Sequence, residues 1–231
     1  MDSVYNEFAN EYDQWFLANE LLLTSEVKMV AAALTTTPGR TLSIGCGSGL
    51  MEAIMKRDMG IVVTDGIEPA HEMAEIARKR GMNVSEQKAE DFKLDEKFDT
   101  ILFNGCPSYI ADLGAAFKNA KAHLNPGGRI IVCDVPKESA YASVYNLALV
   151  LGTWDHKLLD GVKPPHPYPI EFVKSALWRT RDEIMTPLKA AGMTSFKYFQ
   201  TLTMNPNVSN DWVEEPKEGW NSGSYVAVVA K

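Results

Sequence analysis

The chain has 231 residues, 45% hydrophobic and 23% charged, with 23 basic against 30 acidic side chains and a net charge of −7. That length holds one sizeable core, and the acidic balance excludes the basic stripe of a nucleic-acid binder. Cys46, Cys106 and Cys133 lack CxxC or Cys/His spacing, so neither a disulfide framework nor a metal site is expected.

In chain order, Tyr5 to Leu34 repeats apolar residues at three and four, as a helix does, and stops at Pro38-Gly39. Short strands then alternate with amphipathic stretches. Strands are expected at Thr41–Gly45, Ile61–Ile67, Asn83–Gln87, Phe98–Phe103 and Arg129–Val135. Helices are expected at Gly49–Arg57, Pro69–Arg80 and Ala111–Leu124, the second closed by Gly81 and the third followed by the turn Asn125-Pro126-Gly127-Gly128. This alternation specifies a doubly wound, mostly parallel α/β sheet with helices on both faces. Residues 136–179 break the rhythm with an apolar run and the Pro-rich stretch from Lys163 to Pro169, too long for an ordinary connection and too apolar for a linker. A helix over Thr180–Ala191 and closing strands at Phe196–Thr203 and Ser224–Ala230 complete the chain. The longest apolar run, Ala140 to Leu151, contains Ser143, Tyr145 and Asn146 and falls short of the roughly 18 residues of a membrane span. With no basic, apolar leader at the N-terminus, a soluble cytoplasmic protein without membrane or nucleic-acid partners is expected.

The informative motif is Leu42-Ser43-Ile44-Gly45-Cys46-Gly47-Ser48-Gly49, where the first strand turns into the first helix of the alternation. Glycines there admit a ligand close to the backbone and leave a helix N-terminus facing it. The spacing is GxGxG, with Leu50 where a dinucleotide fingerprint places its third glycine. Glu68 ends the second strand, where a carboxylate can take both hydroxyls of a ribose.

These residues, with Gly66-Ile67-Glu68-Pro69, Ala89-Glu90-Asp91-Phe92, Phe98 to Asn104 and Leu124-Asn125-Pro126-Gly127-Gly128, resemble the class I S-adenosylmethionine-dependent methyltransferases of small-molecule type. The likeness is close over residues 40–135 and holds in outline elsewhere. It implies a Rossmann-like seven-stranded sheet, S-adenosylmethionine as cofactor and S-adenosylhomocysteine as product. Along one domain it implies an N-terminal helical lid (1–37), a cofactor-binding half (38–135), a lid insertion after the fifth strand (136–179) and a closing helix and strands (180–231). Carried over by position, the resemblance implies that Gly45, Gly47 and Gly49 make room for the methionine moiety, with Ser43 and Cys46 also among the cofactor-binding residues; Glu68 holds the ribose, Ile67 and Pro69 shape that wall, Ala89 and Glu90 meet the adenine edge, and Asn104 lies beside the sulfonium. Most members carry Asp or Glu where Ser43 stands, and a hydroxyl supplies no charge there.

The expected activity is transfer of a methyl group to a small-molecule acceptor by in-line displacement, which asks for alignment, exclusion of water and, where the nucleophile carries a proton, a base. Tyr12, Trp15, Cys106, Tyr109, Tyr145 and Trp154 are candidate acceptor contacts, and His156, Tyr109 and Asn104 candidate catalytic groups. Each of the aromatic residues has packing as its alternative role. The competing activities are a nicotinamide-dependent oxidoreductase, which Leu50 disfavours, and a non-catalytic S-adenosylmethionine-binding protein. A monomer or homodimer is expected.

Overall fold

Strand β4 (Phe98–Asn104) shows how the sheet is built: Ile101 and Phe103 face one core and Leu102 the other. Strand β5 (Leu124–Asp134) repeats the pattern with Ile130 and Val132 against Ile131 and Cys133, and β8 (Tyr225–Ala230) with Val228 and Ala230 against Ala227 and Val229. A period of two with apolar residues on both faces requires cover on both sides. In the computed structural model, which describes residues 4–35 and 38–231, helices supply that cover. Helices α3 (Glu20–Leu34) and α4 (Leu50–Met59) pack on one face, and α6 (Leu113–Ala122) and α9 (Arg181–Ala190) on the other. Residues 1–3 and 36–37 of the expected N-terminal segment lie outside the described residues.

The sheet runs β3-β2-β1-β4-β5-β8-β6-β7. Strands β1 (Thr41–Ile44), β2 (Asp65–Ile67), β3 (Asn83–Ser85), β4 and β5 are parallel, and β8 pairs antiparallel with β5 and with β6 (Phe196–Thr201). The eighth strand, β7 (Lys217–Glu218), extends the expected seven. It is a two-residue edge pairing with Phe199 and Gln200, too short and polar to leave a periodic signal. The order reverses between β1 and β4, the place where open α/β sheets bind ligands beyond the strand tips.

Three elements depart from expectation. The single N-terminal helix is three: α1 (Val4–Glu7), α2 (Ala9–Ala18) and α3. Asn19 breaks α2 from α3 because its side-chain amide turns back to the Trp15 carbonyl at 2.9 Å, a local bond that competes with helix continuation. Strand β2 pairs only from Asp65; Ile61 and Val63 are buried against α3 and α4 without a ladder partner. Phe98 pairs with Leu124 and Thr100 with Arg129, so residues 125–128 bulge out of β5 instead of preceding it.

Helix α5 (His71–Lys79) packs beside β3 and α1 and ends at Gly81, whose φ of +91° closes it as expected. Beyond β5, Ser139 caps α7 (Ala140–Leu151) by accepting from the Ala142 N–H, and α8 (Ile170–Ser175) follows the Pro-rich stretch. Thr180 and Glu183 form a capping box on α9.

Phe103 and Phe117 meet edge to face at 5.1 Å, both fully buried between β4 and α6. Phe117→Ala leaves a cavity there and is expected to cost about 3–5 kcal/mol in equilibrium urea unfolding. A loss under about 1 kcal/mol would contradict this packing.

Candidate active site

Between β1 and α4 the chain needs three left-handed residues: φ is +60° at Gly45, +55° at Gly47 and +71° at Gly49. Two of them are also crowded. A Cβ on Gly45 would lie 2.5 Å from Cys106 Cβ, and one on Gly49 2.7 Å from Met82 Sδ. Gly47 instead opens on empty space. Facing it, Glu68 is buried and accepts the Gly47 N–H at 2.9 Å through one oxygen and the Ala70 N–H at 2.8 Å through the other. Burial pushes its carboxyl up to about 7, while the two amides pull the other way. Each oxygen keeps a lone pair for a further donor.

Fully buried Ser43 donates to Glu52 Oε1 at 2.7 Å, so a carboxylate from the first turn of α4 stands beside the Ser43 hydroxyl. Burial raises the Glu52 carboxyl, opposed by the Ser43 hydroxyl. Ser48 donates to Asp13 of α2, and Arg80 bridges the Asp13 carboxylate at 2.6 Å and the Ser48 carbonyl at 2.8 Å. The N-terminal helices are thereby tied to the glycine loop. Composition and spacing did not single out Glu52, Asp13 or Arg80. Acids in a first helical turn are ordinarily helix-dipole partners, and Asp13 lies 35 residues from its hydroxyl partner.

Past the tips of β4 and β5, under α2, α3 and α7, lies a cavity of about 70 Å³. Of the candidate residues, Asn104, Tyr109, Tyr12, Trp15 and Tyr145 line it. Asn104 Nδ2 donates to Met51 Sδ at 3.1 Å and its Oδ1 accepts from the Tyr225 hydroxyl at 2.9 Å. Burial pushes the Tyr109 phenol up to about 12.

Two carboxyl groups that the motifs did not indicate also line the cavity, Asp134 and Glu26. Asp134 accepts from the Ser108 hydroxyl at 2.7 Å and the Val135 N–H at 2.9 Å, and burial still pushes it up to about 6. Glu26 has no hydrogen-bond or ion-pair partner among the described residues, and burial alone pushes it up to about 8. The Trp178 indole N–H, at the same wall, is buried and unpartnered among them too.

Other candidates lie elsewhere. His156 is exposed between α7 and α8, where its Nδ1 accepts from the Leu158 N–H at 3.1 Å. Trp154 stands one layer behind Tyr145, its N–H on the Tyr168 carbonyl at 2.9 Å. The Cys106 thiol donates to the Ile44 carbonyl at 3.0 Å and packs against Gly45, and the Cys46 thiol sits over Gly66; burial raises both. On the far side of Glu68, Pro69 is exposed, the Ala89 carbonyl takes the Asn119 amide at 3.4 Å, and Glu90 accepts from the Asp112 N–H at 3.4 Å. No cluster of three metal-ligating side chains occurs among the described residues.

Because the folded state holds Glu26 near 8 against an ordinary value of 4.5, it favours the protonated acid. That contribution is whole below pH 4.5 and is lost as pH rises through 8. Glu26→Gln removes this dependence, so relative to the variant the wild type is expected to lose up to roughly 5 kcal/mol between acidic and mildly alkaline pH. Urea midpoints at both ends of the range measure it; parallel pH profiles would contradict the burial of this charge.

Residues 16–180 match the family described as methyltransferase domain. An uncharacterized protein of Methanocaldococcus jannaschii is 28% identical over 99% of this chain and 98% of its own length. A demethylmenaquinone methyltransferase of Tropheryma whipplei is 28% identical over 84% of each chain. A solved structure from Thermotoga maritima, described as a SAM-dependent methyltransferase and possible histamine N-methyltransferase, superposes with a TM-score of 0.82 at 31% identity, covering 100% of this chain and 99% of that one. With its glycine loop, strand-end glutamate and sheet order, the chain belongs to the methyltransferase-domain family and is an S-adenosylmethionine-dependent methyltransferase.

Proposed function

We propose that the protein methylates a small molecule seated in the cavity beneath α2, α3 and α7. The observation that carries this reading is the cavity itself: about 70 Å³ beside Asn104, lined by side chains of α2, α3 and α7 and by Asp134 at the strand tip. The Thermotoga maritima protein is described as a possible histamine N-methyltransferase and the Tropheryma whipplei relative as a demethylmenaquinone methyltransferase, both with metabolites as acceptors.

The donor set fits S-adenosylmethionine. Glu68 has a free lone pair on each oxygen for the ribose hydroxyls, and Gly47 leaves a space that any other residue would fill. The positive N-terminus of α4 faces the same space, with Glu52 supplying negative charge near Ser43 for the ammonium of the methionine end. When bound, the cofactor supplies an electrophilic methyl group on a sulfonium. Asn104, fixed by the Tyr225 hydroxyl and Met51, borders that end. Residues 4–18 and 136–179 act as a lid that keeps water out, and the Asp13–Arg80–Ser48 bridge holds its first part on the loop. Three free thiols suit a reducing cytoplasm, and no described helix is long and apolar enough to cross a membrane.

Incubating the protein with S-adenosylmethionine and a fractionated cell extract is expected to release S-adenosylhomocysteine with the small-metabolite fraction. Turnover confined to the protein or nucleic-acid fraction would contradict the reading. Glu68→Ala is expected to weaken S-adenosylmethionine binding by about 1–3 kcal/mol in calorimetry. Unchanged affinity would mean that the ribose lies elsewhere.

A further inference from the structure

Glu26 occupies the middle of α3, four residues from Leu22 and four from Val30, on a face otherwise apolar and buried. A carboxylate so placed is costly without a partner, and none is present among the described residues. Its only free direction is the cavity. There it shares the wall with Asp134 of β5, while no Lys, Arg or His lines the space. The titratable groups that face Glu26 from the packed elements are Tyr12 of α2, Tyr141 and Tyr145 of α7, Cys133 of β5 and Tyr225 of β8, all protonated near neutrality because burial raises them. The nearest positive charge to Asp134 is Arg179, which spends its guanidinium on the Pro107 and Ile110 carbonyls.

The remaining wall is a run of rings. Trp15 meets Tyr168 at 4.7 Å, Tyr168 stacks with Tyr145 at 6.0 Å, and Tyr145 meets Trp178 at 5.3 Å. Two acids among π faces, with no base, attract a cation and repel an anion. A phenolate or an enolate would sit beside the Asp134 carboxylate, whereas an ammonium would supply the partner that the charged form of Glu26 lacks.

We propose that the acceptor is a small amine that enters as its ammonium ion against Glu26, and that Glu26 takes the proton that frees the nitrogen for methylation. The proposal rests on the methyl-transfer reading above. The ammonium proton passes to a Glu26 oxygen, leaving a neutral amine and a neutral acid. The nitrogen lone pair then forms the N–C bond as the C–S bond breaks, and the C–S electron pair stays on sulfur. Positive charge thus moves from sulfur to the methylated nitrogen, and Glu26 returns its proton to water when the lid opens. Burial that lifts the glutamic acid also lowers an ammonium beside it, which brings the two proton affinities together.

The test uses the full chain and a series of small primary amines from butylamine to phenethylamine, with phenol and catechol as oxygen acceptors. In the presence of S-adenosylhomocysteine, at least one amine is expected to bind the wild type, and Glu26→Gln to bind it at least tenfold more weakly. With S-adenosylmethionine, kcat/KM for that amine at neutral pH is expected to fall at least a hundredfold in Glu26→Gln and to recover as rising pH deprotonates the free amine. Glu26→Asp, which keeps the charge on a shorter stem, should retain binding and part of the rate. Equal amine affinity in wild type and Glu26→Gln, a rate ratio independent of pH, methylation of the phenols instead, or no amine bound by protein that does bind S-adenosylmethionine overturns the amine proposal alone. Failure of the wild type to bind S-adenosylmethionine overturns the methyl-transfer reading and this proposal together.

Discussion

The hydrogen bond from the Gly47 N–H to Glu68 joins the two features on which the site depends, a backbone held left-handed at alternate residues and a carboxylate at the next strand tip. Left-handed φ at Gly45, Gly47 and Gly49 lets the chain leave β1, turn within a few residues and enter α4 with its first amides facing the tip of the sheet. The loop is closed from beneath by Cys46 over Gly66 and by Cys106 against Gly45, so the open side above Gly47 is where a ligand can approach. Parallel pairing of β1 with β2 and β4 then sets Glu68 and Asn104 on either side of it.

The second constraint is charge. Glu26, Glu52, Glu68 and Asp134 are buried near the strand tips, and burial raises each of their carboxyl groups. Three of the four are held by specific donors: Ser43 for Glu52, the Gly47 and Ala70 amides for Glu68, Ser108 and Val135 for Asp134. Such bonds offset part of the desolvation cost, and they leave Glu26 as the group with most to gain from a cationic ligand. A pocket arranged this way trades stability of the free protein for binding of positive charge.

Much of this was legible in the sequence. The glycine spacing, Glu68, Asn104 and the alternation of β4 and β8 speak through local chemistry, because a two-residue period and a left-handed turn restrict the residue types that fit. Tyr12, Trp15 and Tyr145 were expected as acceptor contacts with packing as the alternative; they line one cavity and also pack against neighbouring rings. The break at Asn19, the bulge in β5 and the edge strand β7 were not legible, since each depends on one side-chain bond or on pairing with a distant strand. His156 looked suited to proton transfer by residue type alone, and the fold leaves it exposed between α7 and α8, away from the cavity lining. Glu26 did leave a trace: a carboxylate at helical spacing between Leu22 and Val30 breaks an apolar stripe. Its meaning needed the tertiary fact that this helix packs on β6, β8 and β5 and brings Glu26 to the cavity that Asn104 and Asp134 also line.

We propose the space above Gly47, bounded by Glu68 and Asn104, as the cofactor cradle. A crystal structure of the protein soaked with S-adenosylhomocysteine tests it most directly. Ribose hydroxyls are expected within hydrogen-bond distance of both Glu68 oxygens, with the ligand filling the space over Gly47 and its sulfur directed past Asn104 toward Glu26 and Asp134. A ligand bound with Glu68 still engaged only by the Gly47 and Ala70 amides, or with its sulfur turned away from that cavity, would contradict it.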